Sequence, residues 1–208
     1  MDNSTLLAFL TTAIILTLMP GPDILFVTAQ SISQHRRAGI ITALGLCTGL
    51  IVHISAAAFG VSAIIYQSTT AFMIIKLAGA IYLLFLAWQS FRSRHETYAI
   101  QKQKPLEHWS LYKKGIIMNV LNPKVSLFFL ALLPQFVNEA SANVSLQMIF
   151  LGIVFIVQAL LVFTIVSFLA EKIGHLLAKH STLSKKLNII QSVLFTLIAM
   201  QIAFSEQS

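Results

Sequence analysis

The chain has 208 residues, 57% of them hydrophobic and only 10% charged, with a mean hydropathy of +0.82. A soluble domain of this length carries about a quarter charged residues, whereas here the apolar residues fall in nearly uncharged runs of about 18 or more, long enough to cross a bilayer. The net charge of +7 lies mostly in short loops between those runs, so it reads as membrane topology and argues against nucleic acid as a partner.

Six spans are expected: Thr5–Ser31, Ala38–Tyr66, Phe72–Phe91, Gly115–Val137, Ser145–Ala170 and Leu187–Phe204. Met1-Asp2-Asn3 lacks the basic start of a cleaved signal peptide, so span one is read as a retained helix. It is interrupted by Met19-Pro20-Gly21-Pro22-Asp23. Pro20 and Pro22 cannot sit in a continuous helix, and Pro22 suits the first position of a new one. Gly21 is expected to supply an unusual backbone angle. Such a break is tolerated at membrane depth only when buried in protein or lining a watery cavity.

Span two carries a small-residue stripe of Gly45, Gly49, His53, Ala56, Ala57 and Gly60. Gly45 and Gly49 form a GxxxG packing surface, which turns His53 into the bundle. His53 either titrates with proton flux or acts as a neutral donor between helices. Cys47 is read as a small packing residue, since one cysteine makes no intrachain disulfide or two-thiol relay. In span three, Lys76 snorkels to the interface and Gly79 packs.

The longest loop, 92–114, ends in Trp109, Tyr112, Lys113 and Lys114, which suit headgroup-level anchoring. A surface-lying helix fits there. His95 and His108 are read as solvated. Span four is broken in turn by Asn122-Pro123-Lys124. Asn119 and Asn122 can bond freed backbone or a ligand; capping and helix contacts are the plainer role for Asn119. Gln158 is the polar candidate of span five.

Arg36 and Arg37 occupy loop one, six basic residues loop three, and Lys172, Lys179, Lys185 and Lys186 loop five. The intervening loops have none. These three loops are therefore expected in the cytoplasm, and both termini outside. The two breaks are separated by three spans, so the halves cross in opposite senses, as in an inverted-topology repeat. The expected fold is thus an all-α integral membrane domain over 1–208. Repeat one is 1–91, the cytoplasmic loop 92–114 and repeat two 115–208, three helices each, with helices 1 and 4 interrupted. Asp23 lies 13 residues from Arg36, and Lys124 lies 10 from Lys114. At about 1.5 Å per residue both fall near the middle of a roughly 30 Å core.

A charge at that depth must be paired or hydrated. Asp23 can carry a coupling proton, bind a substrate ammonium or pair with Lys124 in one conformation; a permanent Asp23–Lys124 ion pair is the structural alternative. Lys124, at a helix start, calls for an anion, either Asp23 or a ligand carboxylate. No nucleotide motif, metal-ligand spacing or cofactor signature is visible.

These segments resemble the lysine exporter (LysE/RhtB) family of amino-acid efflux proteins. The resemblance is carried by Met19-Pro20-Gly21-Pro22-Asp23, by Arg36-Arg37-Ala38-Gly39 leading to Gly45-Leu46-Cys47-Thr48-Gly49, and by Lys76-Leu77-Ala78-Gly79-Ala80-Ile81-Tyr82-Leu83. In the second half it is carried by Asn119-Val120-Leu121-Asn122-Pro123-Lys124 and Leu133-Pro134-Gln135-Phe136. Spans five and six match only as hydrophobic segments. The resemblance implies secondary export of amino acids across a bacterial inner membrane, in exchange for protons. Asp23 directly after the PGP triplet looks like the threonine/homoserine branch. The expected partners are a neutral amino acid, protons and the bilayer. The sequence admits a homodimer without fixing the oligomeric state. A metal or small-ion exporter of related build is one alternative; a membrane thiol carrier is another, disfavoured by the single cysteine.

Overall fold

The computed structural model describes residues 2–19, 21–61, 69–92, 106–138 and 143–177, together with the single positions 193, 196 and 200. Helix α1 (Asn3–Leu18) is capped by Asp2, whose carboxylate accepts from the Thr5 N–H at 2.9 Å. After the break, α2 runs Pro22–Ser33 with its proline in the first turn. Helix α3 (Arg36–Ser55) follows and continues as a π-helical turn, Ala56–Val61. Next come α4 (Thr69–Arg92), α5 (His108–Val120) and α6 (Pro123–Leu127). Helix α6 continues through a π turn, Phe128–Leu132, and a 3-10 turn, Leu133–Phe136. The last described helix is α7 (Val144–Leu177).

Every described element is helical. Arg36–Gly60 and Val144–Lys172 are each long and apolar enough to cross a membrane. The pairs α1/α2 and α5/α6, bent by 57° and 48° at their breaks, each make one further candidate span. Up to four spans are thus present among the described residues by length and composition. Expected span three falls on α4, with Lys76 and Gly79. Span six lies outside the described residues except for Val193, Thr196 and Met200. Pro20, His95 and the loop bearing Lys179, Lys185 and Lys186 also lie outside them.

Helix α3 is central, packing on α5, α7 and α2, while α1 and α2 also lie against α7. The α3–α5 contact is backbone-close. A Cβ on Gly49 would stand 2.9 Å from Asn119 Cβ, one on Gly115 would stand 2.6 Å from the Thr42 carbonyl oxygen, and one on Gly45 would collide with the Tyr112 carbonyl. The Thr48 and Tyr112 hydroxyls meet at 2.9 Å across the same seam.

One boundary differs from expectation. Helix α5 begins at His108, seven residues before the predicted start of span four. Leu111, Gly115 and Asn119 are buried at a spacing of four and face the bundle. The polar residues around them are the outer face of a helix, not a loop. Trp109 there is 64% exposed, stacked on Tyr112 at 5.6 Å, with Lys113 Nζ 5.5 Å above its ring.

At the start of α3, Glu171 of α7 accepts from the Arg36 backbone N–H at 3.2 Å and approaches its guanidinium at 3.8 Å. An acid at a helix N-terminus is favoured by the helix dipole. The Arg36 guanidinium also lies 4.8 Å over the Phe168 ring, fixing the end of α7 to the α2–α3 corner.

Candidate functional site

The two breaks meet. Lys124, in the first turn of α6, turns away from its own helix start and reaches the last turn of α1. Its Nζ donates to the carbonyl oxygens of Leu16 at 3.1 Å and Met19 at 3.4 Å. Carbonyls at the end of a helix have no intrahelical donor, and a cation there also meets the negative end of the dipole. Lys124 is only 7% exposed, so its ammonium is largely shielded from solvent.

Asp23, in the first turn of α2, has the mirrored arrangement. Its Oδ2 accepts from Asn119 Nδ2 at 3.3 Å, and Asn119 stands in the last turn of α5. Each charge that follows one break therefore contacts the helix that precedes the other. Asp23 and Lys124 feel one another electrostatically and line the same cavity, without the direct ion pair offered as the structural alternative. The physical reason is the better offer on each side: two orphan carbonyls for the ammonium, and an amide N–H plus the α2 N-terminus for the carboxylate.

Gly21 is extended, with φ −171° and ψ 175°. Any residue adopts that conformation, which corrects the expectation of an unusual backbone angle. Its missing side chain provides room instead, because a Cβ there would stand 3.1 Å from Lys124 Nζ.

Asn122 caps α6, its Oδ1 accepting from the Lys124 backbone N–H at 3.0 Å. Its Nδ2 is buried within electrostatic reach of Asp23 but completes no hydrogen bond. Asp23 Oδ1 and Asn119 Oδ1 are buried and unpaired as well. His53 sits behind Asn119: its Nε2 lies 3.0 Å from the Asn119 carbonyl oxygen, and its ring stacks on Phe129 at 6.0 Å. A carbonyl oxygen only accepts, so Nε2 carries the proton.

The cavity beside these groups measures about 20 Å³, room for roughly one water molecule. Leu16, Thr17, Leu46, Leu50, Val125, Phe155, Ala159 and Phe163 complete its wall. Gln158 approaches through Thr17, donating to its hydroxyl at 3.0 Å. Asp23, Lys124, Asn122, Asn119 and His53 are thus gathered at one place, with Gln158 on its flank. Gly45 and Gly49 lie on the α3–α5 seam that holds Asn119, and Cys47 packs with its Sγ 3.9 Å from the Ile156 carbonyl. Sequence reasoning missed Thr17 and the carbonyls of Leu16 and Met19. A hydroxyl two residues before the Met19-Pro20 step was the available signal for the first. The carbonyls carry no signal, because every residue has one.

The family model for LysE type translocators matches residues 14–206. The chain belongs to the LysE-type translocator family. A homoserine/homoserine lactone efflux protein of Salmonella typhimurium is 32% identical over 196 residues, 94% of each chain. An uncharacterized membrane protein of Vibrio cholerae is 35% identical over 138 residues, 66% of this chain and 67% of that one. The uncharacterized membrane protein YrhP of Bacillus subtilis is 30% identical over 176 residues, 80% and 83% of the two chains. No solved structure matches. This translocator is accordingly a membrane transporter and not an enzyme, and both breaks fall inside the matched residues.

Proposed function

We propose that this translocator exports neutral amino acids across the bacterial inner membrane by proton antiport, through a midplane site where the two broken helices meet. The observation that carries this reading is the set of buried polar groups with incomplete hydrogen bonding where the two breaks meet, at and beside one small cavity. Asp23 Oδ1 and Asn119 Oδ1 are buried acceptors without donors, and Asn122 Nδ2 is a buried donor without an acceptor. Lys124 uses two of its three N–H groups, both on carbonyls. Buried polar groups are normally paired, and leaving one unpaired costs about 1–3 kcal/mol. A zwitterion would satisfy both sets: its ammonium on Asp23 and Asn119, its carboxylate on Lys124 and Asn122. The name of the Salmonella relative supports an amino-acid substrate.

In this scheme Asp23 holds either the substrate ammonium or a proton, so loading one releases the other and the two fluxes are exchanged. The six-span, two-repeat plan with outside termini is supported by the loop charges and by the reciprocity of the contacts across the breaks. With the site this small, substrate enters only when the bent pairs move apart.

The test is efflux from loaded vesicles against a panel of amino acids, with and without an imposed pH gradient. Asp23→Asn should lower efflux by about tenfold or more, the loss of roughly 1.4 kcal/mol of coupling or binding, while the protein stays in the membrane at its usual level. An Asp23→Asn variant exporting at the normal rate overturns both roles of Asp23. Efflux indifferent to the pH gradient overturns the antiport.

A further inference from the structure

We infer that Gly49 and His53 form a seat on α3 that turns the Asn119 amide toward Asp23, with His53 a positioning residue that donates to Asn119 and passes no proton on. This rests on the reading of Asp23 above, as the holder of the substrate ammonium or a proton. Gly49 and His53 stand four residues apart, one turn along the same face of α3. At Gly49 the Asn119 side chain comes so near that an added Cβ would stand 2.9 Å from Asn119 Cβ. One turn on, His53 Nε2 donates to the Asn119 carbonyl oxygen at 3.0 Å. That oxygen also accepts from the Asn122 backbone N–H at 2.9 Å, so both of its lone pairs are occupied. The imidazole is fixed in turn, its face on the Phe129 ring at 6.0 Å with the planes 19° apart. Asn119 is therefore held at its Cβ and at its carbonyl, and the amide beyond these two points donates to Asp23 Oδ2 at 3.3 Å.

The connection from His53 to Asp23 thus runs through a peptide carbonyl and a carboxamide. Neither group titrates, so the chain transmits position and not protons. The two charged groups of the site are engaged elsewhere: Asp23 on Asn119, Lys124 on the Leu16 and Met19 carbonyls. Among the described residues neither bonds the imidazole. What His53 supplies is the second of two fixed points. Without it the last turn of α5 keeps only the Gly49 contact on α3, and the Asn119 amide loses its aim at Asp23.

Vesicles containing the full-length protein are loaded with homoserine as the probe, and the half-saturating concentration and maximal rate of efflux are read with and without a pH gradient. His53→Leu should raise the half-saturating concentration about tenfold, the scale of one lost hydrogen bond to a charge. His53→Gln, which offers an amide N–H in place of Nε2–H, should restore much of that loss and keep the response to the pH gradient. If His53→Leu does not reach the membrane, His53→Asn replaces it, since its shorter side chain withdraws the donor and stays polar. In an Asn119→Ala background the same loss of His53 should add little, because the amide it positions is already gone. A wild-type half-saturating concentration in His53→Leu or His53→Asn overturns the inference. So does a His53→Gln protein that exports but no longer responds to the pH gradient, because His53 would then carry the proton. Full effects of both substitutions in the double variant overturn it too, since His53 would then act by a route other than Asn119. A wild type that does not export homoserine sinks the amino-acid reading, and this inference with it, a result seen before any variant is made.

Discussion

Lys124 puts its ammonium where α1 runs out of backbone donors. Removing it leaves the Leu16 and Met19 carbonyls buried and unpaired, so Lys124→Met should destabilise the protein by about 1–3 kcal/mol and abolish export. Thermal unfolding in detergent and vesicle efflux read the two effects separately; a variant as stable as the wild type would mean that the carbonyls find other donors. Gly21 supplies an independent handle on the same contact, because its missing Cβ is what lets Nζ approach. Gly21→Val keeps the extended backbone and fills that space. Its export should fall by about tenfold or more, as expected for loss of roughly 1.4 kcal/mol, with membrane insertion unchanged. Normal export would show that Lys124 works from elsewhere. At this scale the sequence drew attention to these residues but did not show how they pair. Asp23 and Lys124 stand out as charges inside apolar runs. Opposite charges invite pairing on paper, and only the three-dimensional ends of α1 and α5 reveal more suitable partners. Asn119, read as a residue for capping and helix contacts, makes its helix contact by donating to Asp23.

The helices themselves were largely legible because proline and glycine act locally. The breaks at Pro22 and Pro123 follow from ring geometry and a missing N–H, whatever surrounds them. The start of α5 was not legible, because its charged outer face matches a loop in composition and only the buried Leu111–Gly115–Asn119 stripe distinguishes it. The GxxxG pattern named the contacting face of α3 but not its partner. The partner is α5, whose Gly115 returns the close approach. Filling this seam forces backbones apart. Gly49→Leu and Gly115→Val should each destabilise by about 1–3 kcal/mol through overpacking, seen as a lower unfolding temperature. Because Gly49 abuts Asn119, its substitution should also reduce export beyond what stability explains. Equal effects of both variants on transport, after normalising for folded protein, would argue that the seam does not transmit to Asn119.

At the scale of the whole molecule, an aromatic cluster links the cavity to the first half of α1. Phe155, which lines it, packs on Phe128 at 5.0 Å and Phe129 at 5.3 Å, and Phe9 continues the cluster to Phe136 at 5.4 Å. The loop charges predict that this cluster faces the outside, and we propose that it is a seal that opens there after loading from the cytoplasm. The single cysteine makes that orientation testable. Cys47 is buried in the core with its Sγ near the Ile156 carbonyl, so Cys47→Ser provides a thiol-free background; unchanged export by that variant would also exclude thiol carriage. In it, Ser4→Cys at the start of α1 and His108→Cys at the start of α5 are both exposed positions. An impermeant maleimide added to intact cells should label Ser4→Cys and spare His108→Cys, with both labelled after permeabilisation. The opposite pattern would invert the molecule in the bilayer, put the phenylalanine seal on the cytoplasmic side and reverse which gate must open first. Labelling of both from outside would break the three-span parity between the two helix breaks, and with it the inverted relation between Asp23 and Lys124.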